Sequence, residues 1–286
     1  AVYNGGYSNA SKRGICLRIS NGGAGQTGLI QAWADAFIQH RVACGEDPFE
    51  IAWYLGDTTD SLALLASGAV DFAITYNAAA EQQCIDAGAA KERIYAFRDH
   101  FILAGPISNP AHLKGDDDIL TMFNKIVTSG NLDVASPPNS EIRPPTRFLS
   151  RFDKSATNIK ESFLFATIGQ IPWAFDCCKW YHQYPRFPRE ALETASLLSE
   201  YTLTDYGTWI SATNAVKSRL SIFKMGSDAA DDLLLNPAHL LHGTRASLVH
   251  ADLCDAFAEW VANSTGGQKV VETFSKDGHV LYTKAP

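Results

Sequence analysis

Ile15-Cys16-Leu17-Arg18-Ile19-Ser20, followed by Asn21-Gly22-Gly23, opens the stretch that decides the fold. Six short, mostly apolar residues running into a glycine-rich turn predict a β-strand. Residues 28–39 then place Leu29, Ile30, Trp33 and Phe37 at helical spacing. Residues 49–55 read as a second strand. Residues 61–66 read as a helix that stops at Ser67-Gly68, a glycine C-cap. Residues 71–76 are a third strand, residues 81–88 a helix and residues 101–104 a fourth strand. Strand and helix alternating at this spacing predict an α/β chain with a mostly parallel sheet covered by helices.

Beyond that core the punctuation changes. Gly105-Pro106 and Asn109-Pro110 break the chain, and Pro137, Pro138, Pro144 and Pro145 make residues 136–145 a loop. Residues 147–150 read as a strand, and residues 155–169 as a helix capped by Ser155 or Thr157. Residues 188–198 and 251–262 are helical. Thr202-Leu203-Thr204 is extended, and Asp205-Tyr206-Gly207-Thr208 begins another helix. No internal repeat or low-complexity tract is present.

The 286 residues suffice for one large or two medium domains, and a hydrophobic share of 46% supports a sizeable core. A formal charge of −7 argues against broad attraction to nucleic acid or anionic membrane, but leaves room for a local anion pocket. No apolar run is long enough for a membrane helix. The start at Ala1-Val2-Tyr3 is expected of a chain trimmed by signal-peptide removal. Asn9-Ala10-Ser11 and Asn263-Ser264-Thr265 fit the glycosylation acceptor pattern, and six cysteines is an even number. These features predict a secreted, disulfide-bonded glycoprotein. Cys16, Cys44, Cys84 and Cys254 are candidates for two bridges, although the sequence does not choose among pairings. Cys177-Cys178 is a vicinal pair unsuited to chelating one zinc. His239 and His242, three apart, would share a helical face, but lack a third ligand.

The chemistry concentrates in Ser150-Arg151-Phe152-Asp153-Lys154-Ser155-Ala156-Thr157, which sets one guanidinium among hydroxyls at a strand-to-helix turn. That combination suits a tetrahedral oxyanion. A surface Arg151–Asp153 pair is the plain alternative. Two further polar turns, Ser20-Asn21-Gly22-Gly23 and Gly56-Asp57-Thr58-Thr59, serve either helix capping or ligand contact. Tyr76 and Ser150 border these turns, and Tyr206 is a similar candidate. No dinucleotide fingerprint, phosphate loop or Gly-x-Ser-x-Gly elbow occurs. Asp116-Asp117-Asp118 reads as a solvated turn rather than a catalytic pair. Trp173, Phe175, Trp180, Tyr181 and Tyr184 read as core packing, with a sugar- or organic-ligand surface as the alternative.

Taken in order, these segments resemble the tungstate-binding branch of the periplasmic oxyanion-binding proteins, over roughly residues 17–281. Leu17-Arg18-Ile19-Ser20-Asn21 through Gly28-Leu29-Ile30 is similar to that family's first strand, Thr/Ser-rich turn and helix. Thr58, Leu62-Ala63-Leu64-Leu65, Gly68 and Asp71 are similar to its second turn and helix. Phe101-Ile102-Leu103-Ala104-Gly105-Pro106 resembles its crossing strand, and Phe148-Leu149-Ser150-Arg151 with Asp153, Ser155 and Thr157 its Ser-Arg turn. Tyr201-Thr202-Leu203-Thr204-Asp205 with Gly207-Thr208 resembles its return crossing. Leu234-Leu235-Asn236-Pro237 and Phe257-Ala258-Glu259-Trp260 match segments of its last third.

The resemblance implies a two-lobed fold of the type II periplasmic-binding kind. Mixed, mostly parallel sheets would carry helices on both faces, with two strands crossing a hinge. Lobe I would comprise residues 1–103 and 207–286, and lobe II residues 104–206, with a ligand clamped between them. The implied ligand residues are Ser20, Asn21, Thr58, Arg151, Ser155 and Thr157, with Gly22, Gly23, Thr59, Tyr76 and Ser150 as a second set. No catalytic residue, cofactor or metal is implied. The partner is a small oxyanion, with a membrane importer only if the chain is bacterial, and the location is extracellular, or periplasmic in a bacterium. The chain departs from the pattern at Asp57, Phe152 and Ala156, where the family has glycine, at Lys154, where it has an acidic residue, and in a first turn short of hydroxyls. A secreted interaction protein that kept the fold but lost or changed its ligand is therefore the alternative. A hydrolase with an unrecognised Ser/His/Asp arrangement stands third.

Overall fold

The computed structural model describes residues 1–174 and 178–286. In chain order the strands are β1 (Val2–Tyr3), β2 (Ile15–Asn21), β3 (Glu50–Leu55), β4 (Phe72–Thr75), β5 (Ala90–Pro106), β6 (Phe148–Ser150), β7 (Tyr181–Gln183), β8 (Tyr201–Asp205), β9 (Leu220–Met225), β10 (Leu235–Gly243), β11 (Ser275–Lys276), β12 (His279–Val280) and β13 (Thr283–Lys284). The helices are α1 (Gly23–Thr27), α2 (Leu29–Ala43), α3 (Thr58–Ser67), α4 (Ala78–Asp86), α5 (Ile119–Ala135), α6 (Ala156–Thr167), α7 (Pro188–Leu198), α8 (Tyr206–Ile210), α9 (Asn214–Lys217), α10 (Ala251–Ala262) and α11 (Gly267–Thr273). The chain groups into two units, residues 1–99 with 236–286, and residues 100–235.

In the first unit the strands run in the order β1-β3-β2-β4-β10-β5, with β13 also on β5. β2 is parallel to β3 and β4, while β1, β10 and β13 pair antiparallel with β3, β4 and β5. Alternation along β4 supplies both faces of the sheet. Ala73 packs with Leu65, Val70 and Leu241 beneath α3. Phe72 meets Phe257 of α10 at 5.2 Å, and Phe257 meets Phe37 of α2 at 5.0 Å, both edge to face. Gly68 closes α3 in the left-handed conformation at φ +77°, as its position predicts.

The second unit follows the same plan in the order β5-β8-β6-β7, with β9 also on β5. β6 is parallel to β7 and β8, and β5 is antiparallel to β8 and β9. Phe148, Leu203 and Tyr201 pack against Met122, Phe123 and Ile126 of α5 and Leu164 and Phe165 of α6. On the other face Leu149 meets Ala191 and Ala195 of α7, and Ile102 meets Leu192 and Val216. Trp180 and Tyr181 belong to the first of these cores, with Trp173 against it, and Tyr184 packs beside Leu149. These four aromatic residues are therefore packing residues; Phe175 lies outside the described residues.

The fold is the mixed α/β, helix-covered architecture expected. Its boundaries differ from the expectation in instructive ways. β5 runs for 17 residues, far beyond residues 101–104. Its first half is rich in charge, which hides its apolar alternation, but those charges are held by partners. Arg93 bonds Glu81, Asp99 accepts from Asn236, and His100 pairs with Asp228. Residues 207–235, expected in lobe I, cluster with the second unit. The reason is that β9 pairs with the 102–106 end of β5, and β8 is a sheet strand of that unit. The exchange back falls at 235/236, at the start of β10. α5 had no sequence prediction; Asp118 caps it, accepting the Thr121 N–H at 2.7 Å. No helix among the described residues is long and apolar enough to cross a membrane.

Candidate functional site

On the first unit, β2 delivers Ser20 and Asn21, both fully buried, to the start of α1. Neither side chain faces outward for a ligand. The Ser20 and Ser61 hydroxyls bond each other at 2.9 Å, and Ser61 donates to the Gly56 carbonyl at 3.3 Å. The Asn21 carboxamide accepts the Gly25 N–H at 2.8 Å and donates to the Ile74 carbonyl at 2.9 Å and the Tyr76 hydroxyl at 3.5 Å. Asn21 thus ties α1 to β4, and Tyr76 joins the same network. A Cβ on Gly25 would stand 2.3–2.4 Å from the Trp53 indole, so only glycine fits there. Gly22 is the N-cap of α1 and Gly23 its first residue. The side chains of Ser20 and Asn21 are thus engaged within the first unit.

The second turn is closed by Asp57. Its carboxylate accepts the Asp60 N–H at 2.9 Å, so it caps α3. Thr58, buried, and Thr59 occupy the first turn of α3. The Thr58 N–H, at the first position of α3, has no intrahelical acceptor, as in any helix first turn.

The Ser-Arg turn of the second unit is different. Ser150 ends β6, and Arg151 follows it only 4% exposed. A planar cation buried to that degree needs compensation. Asp153 supplies part of it through a short bond to Arg151 Nη2. Asp153 also accepts the Ser155 N–H at 2.9 Å and the Ser155 hydroxyl at 2.5 Å. Arg151 Nε is buried and has no hydrogen-bond partner. Ser155 caps α6, accepting the Asn158 N–H at 3.3 Å, and Thr157 is buried one residue into the helix. The N–H groups of Ala156 and Thr157 are first-turn donors without intrahelical acceptors. Phe152, at φ +40° and half exposed, turns outward and leaves Arg151 buried among polar groups.

Beneath the turn lies a group with no sequence signal of its own. Glu161, fully buried on α6, accepts from the Ser150 hydroxyl through a short bond and from Asn158 Nδ2 at 2.7 Å. Ser150 is thereby committed internally; it also accepts the Phe152 N–H at 3.0 Å. Burial pushes the Glu161 carboxyl up to about 8; bonds from Ser150 and Asn158 and the nearby Arg151 charge oppose the rise, while Asp153 adds to it. At neutral pH Glu161 is mostly protonated, so it adds little negative charge under the turn. Glu161 Oε2 and the Thr204 hydroxyl are buried without partners.

The remaining candidates resolve as structure. His239 and His242 lie on β10, where a separation of three puts them on opposite faces rather than on one helical face. His239 Nδ1 meets Arg93 and Glu81, and His242 Nδ1 meets Glu92 at 3.1 Å. Among the described residues no group of three or more His, Cys, Asp or Glu side chains could hold a metal ion. Cys16, Cys44, Cys84 and Cys254 are free thiols, so the expected bridges are absent. Three of them are buried, Cys84 packing with Leu65 and Val70; burial raises the Cys16 and Cys84 thiols and pushes Cys254 up to about 12. Cys177 lies outside the described residues. Asn9 and Asn263 are exposed, but Asn263 Oδ1 is held by the Thr265 N–H and hydroxyl, both at 2.8 Å.

Two α/β units exchanging chain at β5 and β10, each with strand-to-helix turns built of N–H and O–H donors, define a binding-protein class of fold. The chain belongs to the periplasmic-binding-protein superfamily: the PBP superfamily domain matches residues 8–265. It is a divergent relative of the tungstate-binding protein TupA of Peptoclostridium acidaminophilum, 26% identical over 79% of this chain and 72% of that protein. A crystal structure of a periplasmic protein, provisionally described as metal-binding, is 49% identical with a TM-score of 0.90, covering 100% of this chain and 99% of that one. The tungstate-binding protein TupA of Desulfovibrio alaskensis G20 shares the fold at 23% identity and a TM-score of 0.73, over 94% of this chain and 98% of that one. These comparisons add nothing to the glycoprotein expectation.

Proposed function

We propose that this chain is a solute-binding protein, secreted or periplasmic, that captures a small tetrahedral oxyanion of the tungstate or molybdate kind without covalent chemistry. The observation that carries the reading is Arg151, 4% exposed, with a buried Nε that has no acceptor. Arginine can only donate, so this atom calls for an acceptor-rich ligand. On the second unit the capture residues are Arg151 and the first-turn amides at Ala156 and Thr157, with Ser155 and Ser150 shaping the turn. On the first unit, taken by itself, the candidates are Thr58 and the backbone of Gly22 and Gly23, with Ser20, Asn21 and Tyr76 holding the frame.

Two further points support this ligand class. Asp57 and Asp153 spend carboxylate oxygens on Asp60, Arg151 and Ser155, so neither stands out as an acceptor for a protonated anion such as hydrogen phosphate. A tungstate-binding relative, and a similar protein described as metal-binding, both fit a metal oxyanion as solute. An importer would be the partner in a bacterial host.

Calorimetric titration with sodium tungstate, molybdate, sulfate and phosphate tests the reading. Arg151→Ala is expected to weaken binding by about 2–5 kcal/mol, the usual loss for a buried charge-assisted contact. Unchanged affinity rejects that role. The closed hydroxyl set of the first unit motivates a second reading, an interaction protein that has lost its anion. It is favoured if no anion raises the melting temperature of the wild-type chain.

A further inference from the structure

We propose that Thr204 is a ligand-contact residue of the oxyanion site on the second unit, its hydroxyl donating to the same anion as Arg151; this rests on the function proposed above. Thr204 lies one residue from the end of β8, is 3% exposed, and its Oγ1 has no hydrogen-bond partner. β6 and β8 run parallel with Phe148 opposite Tyr201 and Leu149 opposite Thr202. Extended two residues past the paired segment, the same register would bring Arg151 level with Thr204. Adjacent strands lie about 4.8 Å apart, and alternate residues share a face.

The faces agree. Leu149 packs on Ala191 and Ala195 of α7, and Ile102, the register partner of Thr204, packs on Leu192 of the same helix. Arg151 follows Leu149 by two. The neighbouring threonine shows what an ordinary strand hydroxyl does: Thr202 donates to the Leu149 carbonyl at 2.9 Å. Thr204 does not, although it is just as buried. Two buried donors, Arg151 Nε and Thr204 Oγ1, therefore lack acceptors where the adjacent parallel strands β6 and β8 end. That end of a parallel sheet is where α/β proteins bind ligands. Native proteins rarely leave buried donors unpaired without a use for them. An unprotonated tetrahedral oxyanion, all acceptor, satisfies both at once.

The test uses Thr204→Val, which keeps the shape and removes the hydroxyl, and Thr204→Ser, which keeps the hydroxyl. Each full chain is titrated with sodium tungstate, molybdate and sulfate, and melted without ligand. Thr204→Val is expected to bind at least about tenfold more weakly, as loss of a hydrogen bond to a charged group implies. Thr204→Ser should stay within about threefold. Unliganded Thr204→Val should melt no lower than wild type, because it removes an unsatisfied buried group. Wild-type affinity in Thr204→Val overturns the inference and leaves the proposed function standing. Weak binding with a lowered unliganded melting temperature, not rescued by serine, shows a packing role and also overturns it. A wild-type chain that binds none of the anions rejects both.

Discussion

Ser20 and Arg151 both sit where a parallel strand gives way to a helix, one in each unit, yet their polar atoms are used in opposite ways. Around Ser20 the side chains bond one another: Ser20 with Ser61, Asn21 with Gly25 and Ile74, Asp57 with Asp60. Around Arg151 bonding is incomplete, and Arg151 Nε, Thr204 Oγ1 and Glu161 Oε2 are left over. The same supersecondary motif thus yields a frame in one unit and open valence in the other. Open buried valence lowers the stability of the unliganded protein, and a ligand that fills it recovers that loss. Of these two turns, only the one in the second unit leaves buried donors unmet.

The largest effect that could break this contrast is Arg151→Ala, with its expected loss of about 2–5 kcal/mol in anion binding. If it binds tungstate as wild type does, the open valence has no role in capture. Next comes proton linkage at Glu161. Its folded-state carboxyl titrates near 8 against an ordinary value of 4.5, so the folded chain holds a proton that the unfolded chain releases. Stability is then fullest below about 4.5 and falls as pH rises through 8, by up to about 1.4 kcal/mol per pH unit within that window. Glu161→Gln, permanently neutral, should flatten the fall. Denaturant unfolding at pH 5, 6.5 and 8 for both proteins measures it, and equal slopes remove Glu161 from the account.

What could be read in the sequence follows the same division. The β2-α2-β3-α3-β4 series was legible because apolar residues recur with a clear period and glycines mark its breaks. The long β5 was not, because Lys91, Glu92, Arg93, Arg98 and Asp99 mask its alternation, and the partners holding Glu92, Arg93 and Asp99 come from other segments. The Ser-Arg turn was legible as a strand-to-helix turn, with β6 ending at Ser150 and Ser155 capping α6. The fate of Ser20 and Asn21 was not, because a serine aimed at Ser61 and a serine aimed at a ligand look alike in sequence. Thr204 was hidden for a related reason. Its meaning comes from cross-strand register with a residue 53 positions away, and from what Thr202 does and it does not.

Ser20→Ala sharpens the contrast at smaller scale. Removing a buried hydroxyl bonded to Ser61 should cost about 1 kcal/mol of stability, since Ser61 keeps its bond to Gly56. Anion affinity should change by less than about threefold, against the much larger effect at Arg151. A large binding loss with intact stability would return Ser20 to the ligand set.

The smallest expected effect concerns Phe152, where the resembling family has glycine. Its φ of +40° lies in the left-handed region, which disfavours any side chain with a Cβ. Half exposed, Phe152 has limited packing to offset that strain, while its N–H keeps a bond to Ser150 at 3.0 Å that glycine would also make. Relief of about 1–2 kcal/mol of backbone strain, less about 0.5–1 kcal/mol of added chain entropy, leaves Phe152→Gly slightly more stable than wild type. Phe152→Ala, which keeps the strain and loses the ring contacts, should be slightly less stable. Both should bind anion as wild type does, because the ring is half exposed while the Arg151 guanidinium is buried. A marked loss of affinity in either variant would instead place the ring among the groups that shield Arg151 from water.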